Sequence, residues 1–314
     1  MTTTSSTTNS KPLRVLVAPA GTRDYLREAA VEGGGVLVDD VRDADVLVWS
    51  APRDPAGLAA MLERNPALPW VQLPWAGIEH YRALLDDKRV WTAGQGVYAD
   101  DVAEHALCLI LGCLRHLKQR ATATSWQPPS GRSLRGAKVT IFGAGGITGS
   151  LVRLLAPFDV ELTIVRRQAE PFDGAVRTVA LADRHEALRG ADVVVLALAL
   201  TPETTGVIGA AELALLSSTA VLVNVARGEH VDTAALIAAL SAKQIGGAAL
   251  DVTDPEPLPA DHPLFHLENC LITPHTANTP AMALPVLTAR VVENLRRRAR
   301  GEPLLGVVDV VAGY

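Results

Sequence analysis

The chain has 314 residues, 29 Lys and Arg against 34 Asp and Glu, a formal net charge of −5, and 48% hydrophobic but only 4% aromatic residues. At roughly 100–200 residues per domain the length predicts two domains, and the apolar content excludes disorder as the main state. A mild negative balance with few aromatic residues argues against a nucleic-acid partner, which needs a concentrated basic face and stacking platforms, but it leaves anionic small molecules open.

In chain order, the first ten residues, MTTTSSTTNS, have neither a basic start nor an apolar stretch, so they read as a disordered tail and not as a secretory or transit segment. Short β-branched runs follow at 14–18, 46–49 and 70–73. A second group lies at 139–142, 161–165, 192–197, 220–224, 247–251 and 271–273, with helical stretches between, which is the pattern of parallel sheets buried on both faces. The helix that separates the groups is predicted to start near Asp101, where Asp101-x-x-Glu104 resembles a capping box, and to run through Ala106, Leu107, Ile110, Leu111 and Leu114. Pro128, Pro129 and Gly131 then break the chain. Asp232 and Gly246 bracket a further helix through Leu236 and Leu240, and residues 291–300 form the last one, with Arg296, Arg297, Arg298 and Arg300 as its solvated, dipole-matched end. The longest charge-free run, 269–289, contains Pro274, Pro280 and Pro285, so no membrane span is expected. Cys108, Cys113 and Cys270 have no metal or disulfide spacing, which predicts packing residues in a reducing, cytoplasmic compartment and no metal site.

The most informative local element is KVTIFGAGGITG, Lys138 to Gly149, an aliphatic strand that meets glycines and then a helix-compatible segment. Gly143 permits a tight turn, and Gly145 lets backbone N–H groups approach a pyrophosphate at a helix N-terminus. The third position of the G-x-G-x-x-G pattern is Thr148, with Gly149 one residue late, which puts the usual close helix–strand approach in doubt. An acidic residue about 20 positions further on normally takes the ribose 2′-hydroxyl, but this second strand ends in Arg166-Arg167. A guanidinium pairs with a 2′-phosphate that a carboxylate repels, so NADP(H) is the preferred cofactor, with NAD(H) as the alternative.

Three further segments gather polar residues at the carboxyl ends of apolar strands: NVARGEHVD at 224–232, GAALDVTDPEP at 247–257 and LITPHTAN at 271–278. With WAGIEHY from Trp75, VAEHAL from Val102 and LTPETTGVIG from Leu200, these make the chain resemble the D-isomer-specific 2-hydroxyacid dehydrogenases over nearly its whole length after the tail. The resemblance implies two α/β domains with parallel sheets, Rossmann-like and flavodoxin-like, in which a cofactor domain, 102–278, is inserted into a discontinuous substrate-binding domain, 11–101 and 279–314.

It also implies site residues. The family's arginine, glutamate and histidine fall on Arg227, Glu256 and His275. In reduction of a 2-oxo acid such as glyoxylate or hydroxypyruvate, charge grows on the carbonyl oxygen, so a proton donor and a fixed cation lower the barrier. His275 is implied as that donor, Glu256 as the group that orients its ring and favours imidazolium, and Arg227 as the cation on the substrate. Gly146 and Ile147 are implied to meet the pyrophosphate, and Pro202, Val225, Ala226 and Asn278 to line the cofactor. The Asp251 carboxylate is implied to receive the carboxamide. Backbone amides at Trp75, Ala76 and Gly77 resemble the family's carboxylate-binding loop, with Trp75 where many relatives have a smaller residue. A homodimer through the 101–117 helix follows from the same resemblance. Formate-type members carry Gln at the position of Glu256, which disfavours that branch. The competing reading is a nucleotide-responsive, corepressor-like binding protein on the same fold. His105 and His230 read as structural or surface residues.

Overall fold

The computed structural model describes residues 11–313, so the expected tail at 1–10 lies outside the described residues. The chain divides into two compact units: residues up to Val97 together with those from Pro280 onward, and Tyr98–Thr279. Each is built on its own parallel sheet.

The first sheet contains β1 (Arg14–Ala18), β2 (Val36–Leu37), β3 (Val46–Trp49), β4 (Trp70–Gln72) and β5 (Val90–Thr92), in the order β2-β1-β3-β4-β5. All neighbours are parallel, as helices covering both faces require. β2 and β5 are too short to stand out as β-branched runs and had no counterpart in the sequence reading. Trp49, Trp70, Trp91 and Tyr81 are wholly buried here. Each indole N–H finds an oxygen: Ala51 O at 2.7 Å, Thr92 Oγ1 at 2.8 Å and Asp86 O at 3.1 Å respectively.

The final helix spans Pro280–Arg300, eleven residues longer at its start than expected. Proline suits a first helical position because its missing N–H has no intrahelical partner there. Pro285 lies inside the helix on an exposed face and lacks the N–H that would bond to Ala281, itself an exposed residue. The buried face of this helix, Leu287, Val291, Val292 and Leu295, packs with Leu26, Ala29 and Ala30 of the Tyr25–Glu32 helix. Asn294 on the same helix is fully buried: it donates to Gln72 Oε1 at 3.1 Å and Leu305 O at 3.0 Å, and accepts from Leu305 N at 2.8 Å.

The second sheet contains β6 (Lys138–Phe142), β7 (Glu161–Arg166), β8 (Arg177–Ala180), β9 (Val193–Leu196), β10 (Val221–Asn224), β11 (Gly247–Leu250) and β12 (Cys270–Ile272). The order β12-β11-β10-β9-β6-β7-β8 reverses direction between β6 and β9, the switch point at which doubly wound sheets open a ligand crevice beyond their carboxyl ends. β8 was not legible as a strand because only Val179 within it is buried. The Thr233–Ser241 helix starts as expected, with Asp232 accepting from Ala235 N at 2.9 Å.

The long helix of this unit starts earlier than expected, at Ala99, and ends at Leu114, with Tyr98 at the N-cap and no side-chain cap. The Asp101–Glu104 capping box is therefore absent: Asp101 is already inside the first turn. Partial burial, with Glu104 and Asp100 nearby, pushes its carboxyl above the usual range.

Replacing Asn294 with Ala removes the partner of one buried and two part-buried groups and should cost about 2–4 kcal/mol. Chemical denaturation of wild type and variant measures this, and a difference under about 0.5 kcal/mol contradicts the assignment of Asn294 as a buried fastener.

Candidate active site

At the end of β6, Gly143 adopts φ +107° and donates to Val165 O at 2.7 Å. A Cβ on Gly143 would lie 2.2 Å from Ala197 O, so only glycine lets the turn pass against the exit of β9. Gly145 is the extended N-cap of the Gly146–Leu155 helix, which no side chain caps, and a Cβ there would meet nothing within 4 Å. The first amides of this helix, at Gly146 and Ile147, thus have no side-chain acceptor, beside open space, which is the arrangement that receives a phosphate. Thr148 is fully buried and its hydroxyl donates to Gly143 O at 3.0 Å. The residue that departs from the glycine pattern ties the turn to its own helix. Asn278 is a second residue suited to a ligand, because its Oδ1 is buried and has no hydrogen-bond partner among the described residues. A dinucleotide fits these residues.

Arg166 closes β7 and is partly buried, while Arg167 beyond it is exposed. Arg166 Nη2 lies 2.9 Å from Glu170 Oε2. The loop leaving β9 carries exposed Pro202 and is tied down by His230, which is wholly buried. His230 Nδ1 is 2.9 Å from Thr204 O and Nε2 is 3.2 Å from Leu198 O. Burial pushes its pKa down while the two carbonyl contacts oppose that shift, and the ring links the loop to the turn after β10.

Arg227 follows β10. Asn224, 1% exposed, shapes its turn by accepting from Ala226 N at 3.0 Å and donating to Arg227 O at 2.7 Å. The guanidinium donates back to Ala226 O at 2.6 Å, over a floor of buried Val225 and Ala226. At Gly228 a Cβ would fall 2.0 Å from the Thr253 carbonyl, so this turn lies against the β11 exit that leads to Glu256. Neither Asn224 nor Gly228 was singled out from sequence; the sharp N-x-x-R-G turn was the available signal.

Asp251 follows β11 and His275 follows β12, neighbouring parallel strands about 4.8 Å apart. His275 sits at φ +52°, and its N–H donates to Asp251 O at 2.8 Å. Its Nδ1 is 2.8 Å from Glu256 Oε1, with the imidazole 46% and the carboxylate 33% exposed. A carboxylate only accepts, so Nδ1 carries the hydrogen and Nε2 is left to gain or lose a proton. The Asp251 carboxylate is buried and receives Thr273 Oγ1 at 2.6 Å, Thr276 N at 2.9 Å and Ala277 N at 3.0 Å, with His105 Nε2 at 3.3 Å. Burial opposes its charge, but these donors outweigh it and hold the pKa down at about 2. Three of the contacts are to Oδ1, which leaves Oδ2 with capacity for one more donor.

Arg227, Glu256 and His275 thus follow the carboxyl ends of three successive parallel strands, β10, β11 and β12, and Glu256 and His275 are in contact. Trp75, Ala76 and Gly77 belong to the first unit, after β4, where Trp75 O accepts Gly94 N at 2.9 Å. Arg53, also unanticipated, places its guanidinium 5.9 Å from the centre of the Trp75 ring. Among the described residues no group of three or more His, Cys, Asp and Glu could hold a metal, and no helix is long and apolar enough to cross a membrane.

Residues 107–277 match the model of the NAD binding domain of the D-isomer specific 2-hydroxyacid dehydrogenases. The chain belongs to this family. The dehydrogenase is 34% identical over 239 residues to human glyoxylate reductase/hydroxypyruvate reductase, covering 73% of each chain. Among solved structures it is similar to a D-isomer specific 2-hydroxyacid dehydrogenase from Xanthobacter autotrophicus Py2 in complex with NADPH and MES, with TM-score 0.83 and 28% identity over 97% of this chain and 100% of that one. An NADPH-dependent glyoxylate/hydroxypyruvate reductase from Sinorhizobium meliloti, in complex with NADP and sulfate, gives TM-score 0.81 at 26% identity, again over 97% and 100%. The dehydrogenase is an NAD(P)-dependent oxidoreductase, and its NAD binding domain lies within Tyr98–Thr279.

Because the pKa of Asp251 is lowered from 3.8 to about 2 on folding, its stabilising effect is complete above pH 4 and lost as pH falls through 2. The stability difference between the dehydrogenase and Asp251→Asn should therefore shrink by about 2 kcal/mol between pH 5 and pH 2. Urea titrations at several pH values check this, and a difference independent of pH contradicts it.

Proposed function

We propose that this dehydrogenase reduces a small 2-oxo acid of the glyoxylate or hydroxypyruvate kind with NADPH, with His275 as the acid that protonates the new hydroxyl. The observation that carries the reading is the 2.8 Å contact of His275 Nδ1 with Glu256 beyond the carboxyl ends of β12 and β11, the latter paired with β10, which Arg227 follows. The relatives named for glyoxylate and hydroxypyruvate reduction support the substrate class.

The cofactor, when bound, supplies hydride to the carbonyl carbon. Gly143, Gly145, Gly146 and Ile147 would hold its pyrophosphate, Pro202, Val225, Ala226 and Asn278 would line its ring and ribose, and Oδ2 of Asp251 would take the carboxamide. As negative charge grows on the carbonyl oxygen, protonated His275 donates from Nε2 and Glu256 keeps the ring turned toward the substrate. Arg227 neutralises the substrate carboxylate and lowers the cost of the developing charge. In oxidation, neutral His275 takes the hydroxyl proton at the same atom. The loop at Trp75, Ala76 and Gly77 is proposed to recognise carboxylate through its backbone amides, which assigns substrate binding to the first unit and its final helix. A cytoplasmic homodimer completes the proposal, resting on the family resemblance and the free cysteines.

Arg166 and Arg167 support the preference for NADPH, since two guanidinium groups at the end of the second strand suit a 2′-phosphate. Glu170 shares Arg166 and moderates that preference. In Arg166→Ala/Arg167→Ala the Kd for NADPH should rise at least tenfold while that for NADH stays within twofold; fluorescence titration measures both, and equal changes would sink the phosphate argument. His275→Ala should lose roughly 10²–10⁴-fold in kcat with either substrate and keep NADPH affinity. Steady-state NADPH oxidation gives the answer, and undiminished turnover removes His275 as the donor.

A further inference from the structure

His105 is left unexplained by the chemistry above. It projects from the Ala99–Leu114 helix with its side chain only 21% exposed, and Nε2 lies 3.0 Å from Thr273 Oγ1 and 3.3 Å from Asp251 Oδ1. The proton inventory assigns each partner. Thr273 has one hydroxyl hydrogen, and its 2.6 Å contact with a carboxylate commits that hydrogen to Asp251. Toward His105 the hydroxyl can then only accept, so Nε2 carries the hydrogen and the histidine is the donor. The chain His105 to Thr273 to Asp251 therefore runs in one direction, and it ends on the carboxylate that also takes the amides of Thr276 and Ala277.

Residues 273–277 are the segment that carries His275 at its centre. A non-glycine residue at φ +52° holds that conformation only when its surroundings over-determine it. Here the surroundings are Asp251 on both sides of the turn: the carbonyl takes His275 N–H and the carboxylate takes the two amides that follow. His105 fastens this assembly from a separate helix.

We propose that His105 is a positioning residue of the reaction: by donating to Thr273 and Asp251 it fixes the loop that aims His275 at the substrate. The inference rests on the assignment of His275 as the proton donor. Removing His105 takes away the donor that reaches Thr273 Oγ1 from the helix and one donor from a buried carboxylate, so the loop, left with its bonds to Asp251 alone, samples orientations in which His275 is misaimed. Binding of substrate does not depend on that aim; proton delivery does.

The test compares His105→Leu with His105→Gln, whose amide N–H₂ reaches close to the original Nε2. Two readouts are taken: kcat and KM for hydroxypyruvate with NADPH, and hydrogen exchange of the Thr276 and Ala277 amides. His105→Leu should lower kcat at least tenfold with KM within threefold, raise the solvent deuterium isotope effect, and speed both amides at least tenfold while amides of Val193–Leu196 stay unchanged. His105→Gln should recover kcat and exchange to within threefold of wild type. Values for His105→Leu within twofold of wild type overturn the proposal, and so do equal losses in the two variants, which mean that ring packing alone was removed. If His105→Leu does not fold, Thr273→Val cuts the same chain from the other side; it should reproduce the loss, and normal kcat and exchange in it overturn the proposal. If the wild-type protein reduces no 2-oxo acid, the functional reading fails, and the exchange data alone decide whether His105 clamps the loop.

Discussion

A carboxylate removed from water must be surrounded by donors, and Asp251 recruits its own from a helix that precedes the nucleotide-binding strands and from the loop after the last of them. Hydrogen bonds to a buried charge are worth more than neutral ones, and leaving such a charge unpaired costs several kcal/mol, roughly. The loop from Thr273 to Ala277 is consequently a fixed object, held by a charge that cannot be left alone. The backbone of the histidine displayed on that loop is pinned, and its Nδ1 lies 2.8 Å from Glu256 Oε1. The same economy of donors leaves Oδ2 of Asp251 one acceptor position, so a single buried group can both hold the proposed acid and meet a ligand.

The parallel sheet supplies the rest of the geometry. Three neighbouring strands deliver Arg227, Asp251 and His275 to one edge because every strand in the sheet points the same way. Close backbone packing, enforced by the absence of a Cβ at Gly228 and at Gly143, brings the loops between those strands and their neighbours into contact. The electrostatics are local in the same way. A net charge of −5 describes the surface average, while cations stand at the strand ends where anions are proposed to bind.

Much of this was legible in the sequence, and the failures have physical causes. Strands buried on both faces announce themselves as β-branched runs, and Asp232 announces a helix start, because one local requirement determines each. Arg227, Glu256 and His275 became readable only through the order of several motifs, since each alone is an ordinary loop residue. β2, β5 and β8 were missed because an edge strand or a strand of two or three residues has little apolar content to display. Asp101 looked like a cap since the D-x-x-E spacing is right; Tyr98 and Ala99 had already begun the helix, which tertiary packing and not capping decides. Thr148 appeared as a defect in a glycine pattern and proved to be a buried hydroxyl bonded inside the turn. His105 reads from sequence only as a structural or surface residue, and its partners lie more than 140 positions away in the chain, a separation that no local pattern encodes.

In the proposed reaction everything turns on His275 delivering the proton to the substrate oxygen. The most direct test is hydroxypyruvate reduction by His275→Ala in the presence of added imidazole, which can enter the space left by the ring and supply the same proton. Turnover should be slow and rise in proportion to imidazole concentration, at a pH where part of the imidazole is protonated. Turnover that starts near the wild-type rate and ignores imidazole would contradict this role of His275.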